Sequence, residues 1–327
     1  LRTPEHQERI AIFGGARHAA RSDRHEMAAA ILPFLRGRLA TVRRSIGAFD
    51  DAPETLEFVN ARDAEPLAEV GTSCPDHFVR TRIKPLMVAW DPATRTLDTL
   101  REAIARGAER YREEYTAYYR AFASPASPRL RDPNPSVVLV PGVGMFAFGA
   151  NSREARYTAE FYRNAIRVMA GASALGGGRT AEGPLSQPKS GAQAAGFTAV
   201  ANYVALPGRE AFNIEYWALE EAKLQRMPAP KAFSRRICLI VGGGSGIGRA
   251  VALRAAALGA HLVIADVNEA AAAESAQEAA RIAGPGAAAP CAVDITSRES
   301  VRRMIRFTVE RFGGVDILIN TAASFPS

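Results

Sequence analysis

Lysine is scarce in this chain. Only Lys84, Lys189, Lys223 and Lys231 stand among 41 basic residues, so the net charge of +7 is carried by arginine. The arginines are mixed with Asp and Glu rather than grouped with aromatic residues, which argues against a nucleic-acid surface and favours small anionic substrates. Cysteine is equally sparse: Cys74, Cys238 and Cys291 are widely spaced, and two of them lie in apolar runs. That favours core packing in a reducing compartment over a disulfide framework or a cysteine metal cluster. No apolar run nears the roughly 18 residues that a helix needs to cross a bilayer, and the N-terminus lacks the apolar core of a signal segment. A cytoplasmic protein without a membrane partner is expected. Histidine occurs only at 6, 18, 25, 77 and 261, with no H-x-H pair, and after Tyr216 and Lys231 there is no further Tyr or Lys.

What is present is most informative at 237–248, Ile-Cys-Leu-Ile-Val-Gly-Gly-Gly-Ser-Gly-Ile-Gly. An apolar strand runs into a glycine-rich turn. Gly242, Gly246 and Gly248 give the spacing G-x-x-x-G-x-G, in which missing side chains let the backbone turn tightly and approach a pyrophosphate at the next helix N-terminus. Val251, Ala252, Ala255 and Ala256 continue a small apolar helix face, Gly259 ends it, and 261–265 supply a second buried strand. Asp266 follows at once, where an acid can accept from an adenosine ribose and repel a 2′-phosphate. NAD is therefore favoured over NADP.

From the glycine turn onward the chain resembles the short-chain dehydrogenase/reductase family, with Val241 in place of the Thr that opens the family's T-G-x-x-x-G-x-G. Asp294, in Val-Asp-Ile-Thr, matches the family Asp that follows the third strand. Asn320-Thr-Ala-Ala323, after the apolar strand Val315 to Ile319, resembles N-N-A-G with its first Asn and its Ala kept. The resemblance implies that Gly242, Ser245, Gly246, Ile247, Gly248, Asp266, Asp294, Ile295, Asn320 and Ala322 line an NAD cleft. It also implies catalysis by a Ser and a Tyr-x-x-x-Lys pair, in which the ammonium lowers the pKa of the phenol. None of these catalytic residues is assignable here. Three strand–helix units and a closing strand give the order 3-2-1-4, the first half of a doubly wound parallel sheet, and the chain reads as cut short.

The length and the 47% apolar content allow two domains. The expected division is 1–227, a linker at 228–234 and 235–327. Residues 1–26 carry little pattern, whereas Met27 to Leu35, Leu97 to Phe122 and Arg209 to Met227 read as helices, the last stopped by Pro228-Ala-Pro230. Tyr111, Tyr115, Tyr118 and Tyr119 read as packing residues. Gly176 to Gly196 has no apolar period and reads as a flexible loop.

Three stretches of the first part carry a second resemblance: Gly71-Thr-Ser-Cys-Pro-Asp-His-Phe-Val-Arg-Thr-Arg82, Val137-Val-Leu-Val-Pro-Gly-Val-Gly-Met145, and the segment from Tyr203 to Trp217. Together they resemble the C-terminal half of the class II aldolase/adducin α/β domain. More closely, they resemble the version fused to a short-chain dehydrogenase, the bifunctional rhamnulose-1-phosphate aldolase/lactaldehyde (alcohol) dehydrogenases. What that implies is zinc-dependent retro-aldol cleavage of a sugar phosphate to dihydroxyacetone phosphate and lactaldehyde, then NAD-dependent oxidation of the aldehyde. His77 matches the last of three His ligands to zinc. The H-x-H pair and the catalytic Glu have no counterpart in this chain, so catalytic residues are assigned to none of its positions and the chain alone is expected to be inactive. The family also implies a homotetramer. The alternative is a non-catalytic nucleotide-binding or adducin-like scaffold, since adducin-type relatives use the fold without metal.

Overall fold

The computed structural model describes residues 11–93, 96–175, 199–200 and 202–323. The expected loop at 176–196 and His6 lie outside them. In chain order the first elements are α1 (Arg24–Arg38), β1 (Ile46–Asp50), α2 (Pro53–Val59), α3 (Ala64–Val70), α4 (Pro75–Thr81), β2 (Leu86–Met87), α5 (Leu97–Phe122), β3 (Val137–Val140), β4 (Gly144–Gly149) and α6 (Ser152–Leu175). They are followed by β5 (Ala199–Val200), β6 (Tyr203–Val204), α7 (Gly208–Glu215), α8 (Ala218–Gln225), β7 (Ile237–Val241), α9 (Gly246–Ala257), β8 (His261–Asp266), α10 (Glu269–Ala283), β9 (Ala288–Ala292), α11 (Arg298–Phe312) and β10 (Ile317–Asn320). Two compact units form. One holds the chain up to Arg24, Asp50–Met145 and Ala159–Gln225, and the other holds His25–Phe49, Phe146–Thr158 and the chain from Arg226.

In the first unit β2 pairs in parallel with β3, Leu86 opposite Val138 and Met87 opposite Leu139. All four residues of β3 are buried, as an apolar run covered on both faces should be. Helix α5 starts on Thr96, whose side chain caps Thr99 N–H, and buries Leu100, Ala103, Ile104, Gly107, Ala108, Tyr111 and Tyr115, one stripe at helical spacing. The single helix expected at 209–227 is instead α7 and α8, separated at Tyr216 and Trp217. The break has a packing cause. Tyr216 leaves helical geometry with its ring stacked on Phe212 at 4.7 Å and its hydroxyl 2.9 Å from that of Tyr115. Trp217 and Leu219, which the continuous helix would have placed on a buried face, are exposed.

The second unit contains a parallel sheet in the order β10-β7-β8-β9, the expected 3-2-1-4 arrangement. Alternate strand residues serve opposite faces. Ile237, Leu239, Val241, Val263 and Ala265 pack with Met304 and Phe312 of α11 and with Ile46 of β1. Cys238, Ile240, Leu262 and Ile264 pack with Ala252, Ala255 and Ala256 of α9 and Ala276 and Ala279 of α10, whose small side chains suit close helix–sheet approach. The fourth strand begins at Ile317 rather than Val315. Asp316 is drawn to the start of β7, where its Oδ2 accepts from Ile237 N–H at 2.8 Å and from Arg36 Nη2 at 2.9 Å.

His261, at the start of β8, is 4% exposed; its Nε2 accepts from Ser152 N–H at 3.1 Å and its Nδ1 has no partner. Burial, with Arg36 and Arg311 nearby, lowers its pKa to about 4. The unfolded chain, titrating near 6.5, therefore takes up this proton first as the pH falls. Stability should drop between pH 6.5 and 4 by about 3 kcal/mol. Urea midpoints at pH 7 and pH 4.5 check this: His261→Gln, whose amide oxygen can still accept from Ser152, should lose less stability on acidification than the unsubstituted chain, and parallel losses would refute it.

Candidate functional site

The glycine turn is held from three sides. Gly242 and Gly243 donate to Ala265 O at 2.8 and 3.1 Å, Gly244 N–H donates to Asp266 Oδ2 at 2.9 Å, and Gly244 O accepts from the buried Ser275 hydroxyl at 3.1 Å. Two glycines are needed for close packing. A Cβ on Gly242, where φ is +78°, would lie 2.6 Å from Ala322 N, and one on Gly248 would lie 2.0 Å from Gly242 O. Gly246 differs, because at φ +50° a Cβ would meet nothing within 4 Å. Its missing side chain leaves open space at the first residue of α9. Ser245 is the N-cap residue in extended geometry, and its side chain makes no capping bond, so the first amides of α9 are left for an outside acceptor.

Asp266 does two things. Oδ2 fixes Gly244 and Oδ1 accepts from Asn268 N–H at 3.0 Å, yet a carboxylate has about four lone-pair sites, and two remain for hydroxyl donors. At the end of β9, Asp294 Oδ1 accepts from Thr296 Oγ1 at 2.6 Å and Thr296 N–H at 2.9 Å, which holds its carboxyl below the usual carboxylate range. Ile247, Val267 and Ile295, each next to one of these residues, are exposed aliphatic side chains. Asn320 Oδ1 accepts from Ala322 N–H at 3.2 Å, and Ala322 packs on the sheet core. Gly242, Ser245, Gly246, Ile247, Gly248, Asp266, Asp294, Ile295, Asn320 and Ala322 thus all lie at or just after the C-terminal ends of β7, β8, β9 and β10. Ser275 and Thr321 were not read from the sequence. The Thr321 hydroxyl donates to Val241 O at 2.9 Å and its N–H to the same oxygen at 2.8 Å, so it ties β10 to the start of the turn. Its place between Asn320 and Ala322 was the available signal.

In the first unit His77 sits on α4, 6% exposed, with Nδ1 3.1 Å from the Thr72 hydroxyl and its ring edge-on to Phe161 at 5.3 Å. Burial lowers its pKa, which keeps the neutral imidazole that a metal or a hydrogen-bond donor would need. His18 precedes α1 and His25 lies on it, so the two do not share a helix face.

Residues 26–224 match the family model described as aldolase class II, second domain. The chain belongs to that family. Residues 236–326 of this class II aldolase chain match the short chain dehydrogenase model, and the joined pair of matches marks the chain as enzyme-derived. It is 34% identical over 313 residues to the protein named uncharacterized oxidoreductase YuxG of Bacillus subtilis, a match covering 95% of this chain and 42% of that protein. A short-chain dehydrogenase, anuF, of Penicillium roqueforti is 45% identical over 89 residues, 26% of this chain and 32% of the relative. The chain thus spans less than half the length of these relatives. Among solved structures, a hydroxysteroid dehydrogenase from Escherichia coli is similar at 35% identity and TM-score 0.26, covering 27% of this chain and 37% of that one. A 3-ketoacyl-(acyl-carrier-protein) reductase from Brucella melitensis, complexed with NADH, is similar at 37% identity and TM-score 0.24, covering 25% and 32%.

The described residues of the class II aldolase part do not assemble a zinc centre. Among the described residues no group of three His, Cys, Asp or Glu is placed to hold a metal ion, and His77 Nδ1 is engaged by Thr72. A tetrahedral zinc site needs three or four protein ligands. His77 on its own therefore does not make a zinc site, and any such site would need ligands from outside the described residues. Among the described residues, no helix is long and apolar enough to cross a membrane. All three cysteines are free, and burial pushes the Cys238 thiol up to about 11, as suits a core residue.

Proposed function

We propose that residues 235–327 form the adenosine and pyrophosphate half of an NAD site in a short-chain dehydrogenase, joined through 228–234 to the aldolase part at 1–227. The observation that carries this reading is the Gly246 opening: free space and uncapped helix amides meet there, with Asp266 tied to the same turn. A pyrophosphate would lie against the N-terminus of α9, the ribose hydroxyls would donate to Asp266, and the adenine would rest among Ile247, Val267 and Ile295 near Asp294. Asn320 and Ala322 would border the cofactor on the β10 side. NAD supplies a hydride acceptor when bound; this chain's residues bind and orient it. Residues 236–326 contain neither Tyr nor Lys, so proton transfer is assigned to none of them. The whole protein is proposed to cleave a 6-deoxyketose 1-phosphate such as rhamnulose 1-phosphate and to oxidise the resulting aldehyde, as a cytoplasmic homotetramer, with His77 as one ligand of a zinc site completed elsewhere. Joining the steps makes chemical sense, because a reactive aldehyde is consumed where it forms.

Calorimetric titration with NAD and NADP tests the nucleotide reading. The chain should prefer NAD, since a 2′-phosphate would face the Asp266 carboxylate. Because Asp266 also anchors Gly244, Asp266→Ala would disturb the turn itself. Asp266→Asn retains an acceptor oxygen while removing the charge, and it should narrow the NAD preference by about 1 to 3 kcal/mol. Equal affinity of the unsubstituted chain for both cofactors would sink the ribose assignment.

A further inference from the structure

Helix α10 buries one stripe at helical spacing, Ala272, Ser275, Ala276 and Ala279. Alanine is the best helix former, and its burial hides no polar group. Ser275 is the exception in the stripe, and it is completely buried. A hydroxyl in such a place is costly unless it is bonded. Serine inside a helix commonly bonds the carbonyl four residues earlier, but Ser275 donates out of the helix, to Gly244 O at 3.1 Å in the glycine turn. Alanine would serve α10 at least as well, so the hydroxyl is explained by the turn.

The turn needs an outside hold, because Gly243 and Gly244 have no side chains whose sterics would fix their backbone torsions. Among the described residues no peptide bond is cis, so the C=O and N–H of the peptide joining Gly244 to Ser245 point in opposite directions. With that carbonyl turned to Ser275, the Ser245 N–H points away from α10. The preceding peptide is pinned too, since Gly244 N–H donates to Asp266 Oδ2 at 2.9 Å. Gly244 is also wedged in place: a Cβ there would lie 2.9 Å from both Ala271 Cβ and Asp266 Oδ2. Gly244 is buried, whereas Ser245, Gly246 and Ile247 are exposed. Among the described residues, the N–H groups of Ser245, Gly246, Ile247 and Gly248 have no partner. The Ser245 N–H is the first of that row and adjoins the Gly246 opening.

We propose that Ser275 is a positioning residue for the cofactor, a role that rests on the nucleotide reading of this turn: by holding the Gly244 carbonyl it aims the Ser245 N–H at the pyrophosphate. Without the hydroxyl the Gly244 carbonyl is buried and unbonded. Rotating the peptide to bring that carbonyl to water would swing the Ser245 N–H inward, away from the phosphate. Ser275 itself touches no part of the ligand and acts only through Gly244.

The test is equilibrium dialysis of the 327-residue chain and its Ser275→Ala variant against adenosine, ADP and NAD. Alanine matches the rest of the buried stripe, so the circular dichroism spectrum should be unchanged. Ser275→Ala should weaken ADP and NAD about tenfold, the loss of one aimed hydrogen bond to a charged group, while adenosine should stay within about twofold. Adenosine carries no phosphate but still reports on Asp266 and the same turn. A magnetic-resonance titration gives a reading that needs no variant: ADP should shift the Ser245 amide resonance of the unsubstituted chain, and adenosine should leave it in place. The role is overturned if Ser275→Ala binds ADP like the unsubstituted chain, if adenosine and ADP weaken by the same factor, or if bound ADP leaves the Ser245 amide unmoved. If the unsubstituted chain binds neither ADP nor NAD, the nucleotide reading itself falls and the role of Ser275 falls with it.

Discussion

Gly248→Ala should destabilise the second unit by about 3 kcal/mol and abolish dinucleotide binding, whereas Gly246→Ala should cost only about 1 kcal/mol and still impair binding. The difference lies in what each new methyl group meets. At Gly248 it would lie 2.0 Å from Gly242 O and 2.6 Å from the Thr321 hydroxyl. The first is backbone already committed to the turn, and the second is the group that ties β10 to Val241, so relief requires moving both. At Gly246 the methyl group enters open space, and the penalty is only that of an L-residue at φ +50°. Urea midpoints monitored at the sheet, with NAD titrations on the same samples, separate the outcomes. Equal stability losses in the two variants would contradict the described packing of the turn.

Glu215→Ala should be the most damaging single change in the first unit, at about 3 to 5 kcal/mol. Glu215 is 0% exposed and Arg82 8%. Glu215 Oε1 accepts from the Tyr115 hydroxyl at 2.5 Å and from Arg82 Nη1 at 3.3 Å, while Arg82 Nη2 donates to Asp132 O at 2.8 Å. Burial pushes the Glu215 carboxyl up against the pull of Arg82. Removing the carboxylate leaves the buried guanidinium without its counter-charge and the buried Tyr115 phenol with only the Tyr216 hydroxyl. The double variant Arg82→Met with Glu215→Leu should therefore lose less than Glu215→Ala alone, because no uncompensated charge remains. Near-ultraviolet dichroism of the tyrosine cluster during denaturation reads both. A double variant as unstable as the sum of its singles would show that the pair is not coupled.

The determinants of the nucleotide turn were legible because they are local: strand, glycines, helix and Asp266 follow one another, and their order fixes the parallel arrangement of β7 to β10. The Arg82–Glu215 pair was hidden because its members are remote in sequence and each looks like an ordinary surface charge. For the same reason Tyr115 could be read as a packing residue but not as the donor to a buried carboxylate. Helix periodicity likewise overran at Tyr216, where side-chain packing outweighs propensity. Ser275 joins the turn only through the carbonyl of Gly244, 31 residues earlier, which no local pattern announces.

Arg36, Ile46 and Ser152 reach the β7–β10 sheet from segments that leave the ribosome long before it. When they emerge, Asp316, Phe312 and His261 have not been made, so Ile46 lacks the sheet face it packs on and Arg36 lacks the Asp316 carboxylate. Closure must wait for the last strands and bridge most of the sequence, a high-contact-order step that is intrinsically slow. A gene fragment cut after Gln225 would deliver β7 without the guanidinium that Asp316 holds and β8 without the amide that His261 accepts. The dehydrogenase-like segment is thus contiguous in the gene while its compact unit also draws on His25–Phe49 and Phe146–Thr158, so inheriting the segment alone would mean inheriting it without those contacts.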